Sequence, residues 1–281
     1  MKKQFGPLAG LCLVFTGLIS IGSNNLAAQD QSTTPPPKVL QIVVESLKPG
    51  QGGNSHAKTE SAFVKALSDA KWPTHYFGMD ALSGKSRAVF FTGYDSFDAW
   101  QKDMDATMKN TSLAAALDSA AVADGALLDA FETSAYVYRE DLSLRGPVDI
   151  AHMRFFEITL FRIRPGHGKD WSDLVKIYMA ANEKIPNAHW ATFEKMYGTE
   201  SGSRYIAISP MKSMAEVDQE MLDDKALGSS LSDEDRRKIR ELTAAAVESI
   251  ESNLYAMNPK MSYPPEAWVK ADPDFWMPGT K

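Results

Sequence analysis

A histidine and a glutamate four positions apart are the residues best suited to do chemistry. His56 and Glu60 fall in a segment whose apolar periodicity predicts a helix over about residues 54–71. Side chains at this spacing share a helix face, so the carboxylate could orient the imidazole and set its tautomer. A general base needs that arrangement, and we therefore take the pair as the candidate catalytic residues. Such a pair near a helix start also occurs as a plain surface contact, which is the alternative interpretation.

Other residues are candidates for binding a ligand. His75 and Tyr76 lie on a predicted strand and face opposite sides of it, and His189 and Trp190 start a similar strand later in the chain. For all four, an aromatic that is simply packed or edge-exposed is the alternative. The full set of candidate ligand-binding residues is Phe63, His75, Tyr76, Arg87, His189, Trp190 and Arg204.

The two arginines, Arg87 and Arg204, recur at equivalent places in two predicted hairpins. They could bind an anionic ligand. Alternatively, they pair with Glu132 and Glu251.

Metal-site spacing is missing from the sequence. The five histidines are scattered, and no HxH, HxxxH or HExxH motif occurs, so we expect no metal site. Glycine-rich phosphate loops and nucleophile elbows are also missing. We expect no cofactor, with haem as the open alternative, because His56, His75 or His189 could serve as an axial ligand.

The helix that carries His56 belongs to a segment that occurs twice. Val39–Leu67 predicts a strand, a Pro-Gly break and a helix, and Phe155–Asn182 repeats that order. When the two helices are aligned, His56 and Glu60 fall opposite the tryptophan and valine of the second copy, at positions that look buried. A polar pair on an otherwise buried stripe predicts a pocket in the first copy.

The elements after each helix also recur in the same order. Each copy predicts a short strand, a glycine turn, a returning strand, two helices and a last strand. The third helix is expected over 113–130 in the first copy and 233–250 in the second, and the last strand over 132–136 and 251–255. The order β-α-β-β-α(α)-β is ferredoxin-like. We therefore predict an α+β fold with two tandem ferredoxin-like units, whose sheets face each other as an intramolecular pseudo-dimeric α+β barrel.

The domain organisation follows from the repeat and from the two ends of the chain. Residues 1–28 resemble a bacterial secretory signal, with two lysines, an apolar core and small residues before the probable cut, which predicts a periplasmic or secreted protein. The only cysteine, Cys12, lies within it. The remaining boundaries are a linker at 29–37, a first unit at 38–141, a linker at 142–152, a second unit at 153–260 and a C-terminal strap at 261–281. The strap is rich in proline and aromatic residues, and we expect it to be extended over the barrel, with a plug that enters a ligand cavity as the alternative.

Charge limits the partners. The formal net charge is −6, and there is no basic stripe, which argues against nucleic acid and against anionic membranes once the signal is removed. A small-molecule ligand is the partner that we expect, and further oligomerisation is open.

The whole pattern resembles the dimeric α+β barrel superfamily, which includes antibiotic biosynthesis monooxygenase-like and NIPSNAP-like domains. Strands that end in Lys48-Pro-Gly or Arg164-Pro-Gly, the helix after each, and the paired glycine-arginine hairpins carry the resemblance over residues 38–260. It implies a ligand site in the helix–sheet layer and a choice among cofactor-free monooxygenase, isomerase and haem chemistry. We expect a small, partly apolar ligand in the first unit, with a non-catalytic interaction module as the alternative.

Overall fold

The computed structural model describes residues 33–199 and 202–277. The predicted signal at 1–28 lies outside these residues. The described part of the chain is an eight-stranded closed barrel wrapped by helices. This mixed α+β fold matches the ferredoxin-like pseudo-dimer at a coarse level. Within this part, no helix is both long enough and apolar enough to cross a membrane.

The first half contains four strands and three helices. They are β1 (Val39–Leu47), α1 (Asn54–Asp69), β2 (Tyr76–Ala81), β3 (Arg87–Tyr94), α2 (Phe97–Lys109), α3 (Thr111–Gly125) and β4 (Leu128–Tyr138). Two single turns of 3-10 helix, Glu140–Leu142 and Ile150–His152, lie between the halves.

The second half has the same element order. It comprises β5 (Phe155–Ile163), α4 (Gly168–Asn182), β6 (Ala191–Tyr197), β7 (Ser203–Met211), α5 (Ala215–Ser230), α6 (Asp233–Ala246) and β8 (Val247–Tyr263). Two short helices follow, α7 (Glu266–Ala271) and α8 (Pro273–Trp276).

The strands are ordered β1-β3-β2-β8-β5-β7-β6-β4 around the barrel, and every neighbouring pair is antiparallel. Each half contributes one continuous set of four strands. The sets join where β2 pairs with β8 and where β4 pairs with β6, so neither half has a free sheet edge in this barrel.

Alternation along each strand divides the core into two parts. On β1, Leu40 and Ile42 point into the barrel, whereas Val43 points toward the helices. On β5, Phe156 points inward and Ile163 points toward the helices. The barrel is therefore filled with apolar side chains, and a separate layer lies between the barrel and the helices of each half.

The third and last elements of each half differ from the sequence-based expectation. Helix α3 ends at Gly125 rather than near residue 130, and β4 begins at Leu128, because residues 128–137 pair with β1 along its whole length. Strand β8 runs to Tyr263, beyond the expected end at residue 255, because its last part pairs with β2 of the first half.

The C-terminal strap was expected to be extended, but it forms α7 and α8. Trp268 and Trp276 pack together with ring centroids 5.7 Å apart, and both lie against the barrel core. The Trp276 indole nitrogen donates to the Ala151 carbonyl oxygen at 3.1 Å. The strap therefore covers one end of the barrel.

Candidate functional site

Four buried ionisable side chains meet in the helix–sheet layer of the first half. His56 Nε2 lies 2.9 Å from Glu45 Oε2, 3.4 Å from Asp124 Oδ1 and 3.9 Å from Glu60 Oε1. One nitrogen or oxygen atom from each residue lies within 4.8 Å of those of the other three. We refer to Glu45, His56, Glu60 and Asp124 as the His56 cluster.

Local structure explains how three elements supply these residues. Gly53, with φ +65°, precedes α1 and lets the chain reverse from β1 into the helix. The helix period turns His56, Ala57 and Glu60 inward. Strand alternation turns Glu45 toward the same layer, away from the barrel interior.

Asp124 comes from the last turn of α3, which packs against α1. The Thr59 hydroxyl donates to Asp124 Oδ1 at 2.6 Å and is also 2.8 Å from the His56 carbonyl oxygen. The threonine therefore ties the carboxylate of one helix to the backbone of the other and limits the rotation of Asp124.

Burial changes the proton affinity of the cluster. Burial, together with the charges of Glu45 and Asp124, raises the pKa of Glu60 to about 9. Burial also raises the pKa of Glu45, against the opposing hydrogen bond from His56. For His56, burial favours the neutral ring, but the hydrogen bond to Glu45 and the nearby Asp124 outweigh it and raise its pKa.

Several polar atoms around the cluster have no hydrogen-bond partner. They are Glu60 Oε1, His56 Nδ1 and the Tyr76 hydroxyl, all of which are shielded from solvent. Burial and the charges of Glu60 and Glu45 raise the pKa of Tyr76 well above its ordinary value. Within the described part of the chain, the three carboxylates form ion pairs with His56 and with no lysine or arginine.

A separate cavity lies at the barrel end covered by the strap. Its volume is about 570 Å³. The strand ends and loops of both halves line it, together with the segment Thr34–Pro37 and Trp268 of α7. We refer to it as the barrel-end cavity.

Four of the sequence-predicted ligand residues line the barrel-end cavity, namely His75, Tyr76, His189 and Trp190. The candidate catalytic residues do not, and neither do the other predicted ligand residues, which are Phe63, Arg87 and Arg204. The sequence predicted a pocket around His56 and Glu60 in the first copy. These two residues face the helix–sheet layer, whereas the barrel-end cavity opens at the strand ends. Tyr76 is common to both places, because it lines the cavity and also packs in the layer that holds His56 and Glu60.

The polar groups of the cavity differ in what they offer a ligand. His189 has Nδ1 at 2.7 Å from the Asn187 carbonyl oxygen and Nε2 at 2.8 Å from the Pro210 carbonyl oxygen. The Trp190 indole nitrogen donates to the Leu142 carbonyl oxygen at 2.9 Å. His75 keeps a buried Nδ1 with no partner. Burial lowers the pKa of His75, against a backbone hydrogen bond at Tyr263, so its ring is neutral at pH 7.

The two predicted arginines make contacts within the protein and do not line the barrel-end cavity. Arg87 Nη2 lies 3.1 Å from Glu251 Oε1, and its guanidinium is 5.8 Å from the Tyr255 ring centroid. This is the pairing that the sequence offered as the alternative to anion binding. Arg204 is buried. Phe63 is half-buried on α1.

A smaller cavity of about 150 Å³ lies within the helix–sheet layer of the first half, where the resemblance implied a ligand. Asp103 of α2 is its polar centre, because it accepts hydrogen bonds from Trp72, Thr74 and Tyr94 at 2.9, 2.6 and 3.1 Å. Those contacts already satisfy the carboxylate.

Haem fits poorly at two of the three histidines that the sequence offered. His56 is fully buried in the helix–sheet layer and lines neither of the two cavities, so haem has no space beside it. Both nitrogens of His189 face carbonyl oxygens. An axial ligand needs a free nitrogen lone pair, so His75 is the one of the three whose surroundings are compatible with iron.

Sequence reasoning missed Glu45 and Asp124. The signal for Glu45 was a carboxylate on a strand face that also carries Gln41 among apolar side chains, and for Asp124 it was a carboxylate in an alanine-rich helix. Metal-site motifs such as HxH, HxxxH and HExxH span only a few residues. Such motifs cannot reveal Asp124, which is 65 residues from its partner Thr59.

No protein-family model matches the chain, and no curated protein matches it in sequence. Solved structures do match its fold. An anthrone oxidase-like protein is 13% identical, with 83% of this chain and 94% of that chain covered and a TM-score of 0.52. A candidate monooxygenase from Fusobacterium nucleatum is 10% identical, with 79% and 93% covered and a TM-score of 0.50.

A chlorite dismutase from Candidatus Nitrospira defluvii is 9% identical, with 83% of this chain and 95% of that chain covered and a TM-score of 0.47. At these identities the likeness concerns the fold alone. The two structures with TM-scores of 0.52 and 0.50 agree with the α+β barrel fold described above.

Proposed function

We propose that this protein binds a small, mainly apolar molecule in the barrel-end cavity. The observation that carries the proposal is the cavity itself. Its volume of about 570 Å³ falls within the range of about 300–1,000 Å³ that is usual for ligand sites. Apolar walls with few polar groups are also usual for such sites, and here Phe77, Phe91 and Phe156 supply much of the wall.

His75 is the polar group best placed to orient a ligand. It lines the cavity, its ring is tilted against Tyr263 with centroids 4.8 Å apart, and its buried Nδ1 lacks a partner. A neutral imidazole offers one donor and one acceptor. A ligand with a hydroxyl or carbonyl group on a flat ring would fill the aromatic surroundings, and it would satisfy that nitrogen once the His75 ring turns Nδ1 toward the cavity.

We further propose that the cavity is a catalytic site with His75 as the base. His75 is neutral at pH 7 and could remove a proton from a bound ligand, as oxygenation without a cofactor or isomerisation both require. Two solved neighbours are named as an anthrone oxidase-like protein and a candidate monooxygenase, which favours the first reaction class. Haem at His75 is the alternative that the same cavity permits.

An interaction module is the second candidate function, and exposed apolar side chains on two outer helices favour it. Met104 and Met108 on α2, and Met221 and Leu222 on α5, are all more than half exposed. Exposed apolar groups of this kind are common at interfaces with other chains, including further copies of the same chain.

Two further inferences concern the chain as a whole. The shared order of elements in the two halves supports their origin as tandem copies of one ferredoxin-like unit. The signal-like N-terminus supports export to the periplasm or the medium, where the mature chain would have no cysteine.

The test is to measure the binding of 1-naphthol by calorimetry. This probe is flat and mainly apolar, and it has one hydroxyl. Ala191 lines the cavity, so Ala191→Trp would fill it, and we expect binding at least about tenfold weaker than in the wild type. Ala130→Trp is the matched control, because Ala130 is an exposed strand residue outside the cavity. Native mass spectrometry of protein from its own host would show the natural ligand.

Equal binding by the wild type and Ala191→Trp would place the probe outside the cavity and contradict the proposal. So would a wild type that binds no probe and carries no molecule from its host. In that case the oligomeric state, compared between the wild type and a Met221→Lys variant on α5, would test the interaction module.

A further inference from the structure

The His56 cluster contains more acid than its surroundings neutralise. Three carboxylates and one imidazole lie together, and each of the four side chains is at least nine-tenths buried. Buried carboxylates are found paired with cations, with hydrogen-bond donors or with metal ions. We propose that the cluster binds one divalent metal ion through Glu45, His56, Glu60 and Asp124.

The geometry is close to that of a formed site. The four candidate ligand atoms lie within 4.8 Å of one another. Ligand atoms with bonds of about 2.1 Å to one ion lie at most about 4.2 Å apart. Side-chain rotations that shorten the widest separation by at most about 0.6 Å would therefore bring the four atoms within reach of one ion.

Atoms without partners point to the same conclusion. Glu60 is 3% exposed, and its Oε1 accepts no hydrogen bond although it faces His56. The Tyr76 hydroxyl in the same layer also has no partner. A buried polar atom without a partner costs about 1–3 kcal/mol, and an ion coordinated by Glu60 would remove that cost.

The position of Asp124 is unfavourable unless a cation is present. It lies in the last turn of α3, where the helix dipole repels negative charge, and it is 2% exposed. Its hydroxyl donor, Thr59, bonds to Oδ1, which is also the oxygen that lies 3.4 Å from His56 Nε2, and so holds that oxygen toward the cluster. Threonine then acts as an outer partner that orients a ligand, as is common around bound metal ions.

The donor set indicates the class of ion. Carboxylate oxygens suit Mg²⁺ and Mn²⁺, imidazole suits Fe²⁺ and Zn²⁺, and no thiolate is present in the described residues. A set of three carboxylates and one histidine favours Mn²⁺ or Fe²⁺. Because His56 is fully buried, the ion would be closed off from solvent and would brace α1 against α3 and β1. This site is separate from the barrel-end cavity and does not depend on the proposal for that cavity.

The test uses purified protein that has been stripped of metal with a chelator and is then titrated with Mn²⁺. Calorimetry and the electron paramagnetic resonance signal of free Mn²⁺ measure the binding. We expect saturation at one ion per chain and a nitrogen coupling from the imidazole of His56 in the bound spectrum. Bound Mn²⁺ should also raise the thermal midpoint, because it binds the folded state.

Asp124→Asn is the informative variant, and Asp118→Asn is its matched control, since Asp118 is exposed on the same helix. We expect Asp118→Asn to bind like the wild type and Asp124→Asn to bind at least about tenfold more weakly. If Asp124→Asn does not fold, Glu60→Gln replaces it, because it keeps the shape of the side chain and removes a ligand charge.

Two results would overturn the proposal. One is a wild type that takes up neither Mn²⁺, Fe²⁺ nor Zn²⁺ at one equivalent. The other is wild-type Mn²⁺ affinity in a folded Asp124→Asn or Glu60→Gln variant, which would locate the ion at another site.

Discussion

The layer between the helices and the barrel is filled differently in the two halves. Glu45 and Phe161 are both the third residue from the end of a nine-residue strand, β1 and β5. In the first half Glu45 meets His56 at 2.9 Å. In the second half the Phe161 and Trp171 rings lie with centroids 4.7 Å apart. One pair is ionisable, and the other is aromatic.

The contrast extends through the layer. In the second half, Trp171, Leu174 and Val175 of α4 pack with Tyr205 and Val247 into a continuous apolar cluster. The first half has a smaller apolar cluster, with Ala57, Ala88, Phe90 and Met261 at its centre. An apolar layer is therefore sufficient to hold such helices on this barrel, and the fold does not require the charges of the His56 cluster.

Removal of the largest side chain in the apolar layer should have the largest effect. Trp171 is 4% exposed, so Trp171→Ala should lower the free energy of unfolding by about 3–5 kcal/mol through lost burial and a cavity. Urea unfolding followed by circular dichroism measures this. Trp100→Ala, on a partly exposed residue of α2, is the control and should cost less. A loss below about 1 kcal/mol for Trp171→Ala would mean that this layer does not hold the second half together.

The charged layer should make the metal-free protein sensitive to pH. In the folded state the pKa of Glu60 is raised from 4.5 to about 9. Between these two pH values the folded state therefore binds more protons than the unfolded state, and the free energy of unfolding falls as pH rises. From pH 6 to pH 8 the loss due to Glu60 is on the order of 3 kcal/mol. Urea unfolding in the presence of a chelator should show this loss in the wild type and a clearly smaller one in Glu60→Gln.

The apolar layer provides the control for the pH experiment. Val175→Ala removes volume at a buried position of α4 and should lower stability equally at both pH values, because it changes no titrating group. If Glu60→Gln keeps the full pH dependence of the wild type, the protons are taken up elsewhere and the pKa assigned to Glu60 is wrong.

Two tyrosines on the first half should respond in opposite directions to the same small change. Tyr76→Phe removes a buried hydroxyl without a partner and should raise the free energy of unfolding of metal-free protein by about 1 kcal/mol. Tyr94→Phe removes a hydroxyl that donates to Asp103 at 3.1 Å and should lower it by about 1 kcal/mol. Equal losses in both variants would show that the Tyr76 hydroxyl has a partner in solution.

Much of the fold was predictable because it depends on local periodicity. Alternation placed Leu40 and Ile42 on one face of β1, and the three-four spacing placed His56 and Glu60 on one face of α1. The helical strap and the long β8 were not predictable, because both depend on pairing or packing with distant parts of the chain, such as β2 and the barrel core.

The sequence by itself determined the order of elements and the shared helix face of His56 and Glu60, since both follow from repeats of two and 3.6 residues. Only the tertiary structure decided that Glu45 and Asp124 complete the cluster, because the crossing of α1 over β1 and against α3 is a long-range contact. It also decided that His75 and His189 share a cavity without His56. That cavity forms where strand ends from both halves meet, and no local pattern in either half specifies it.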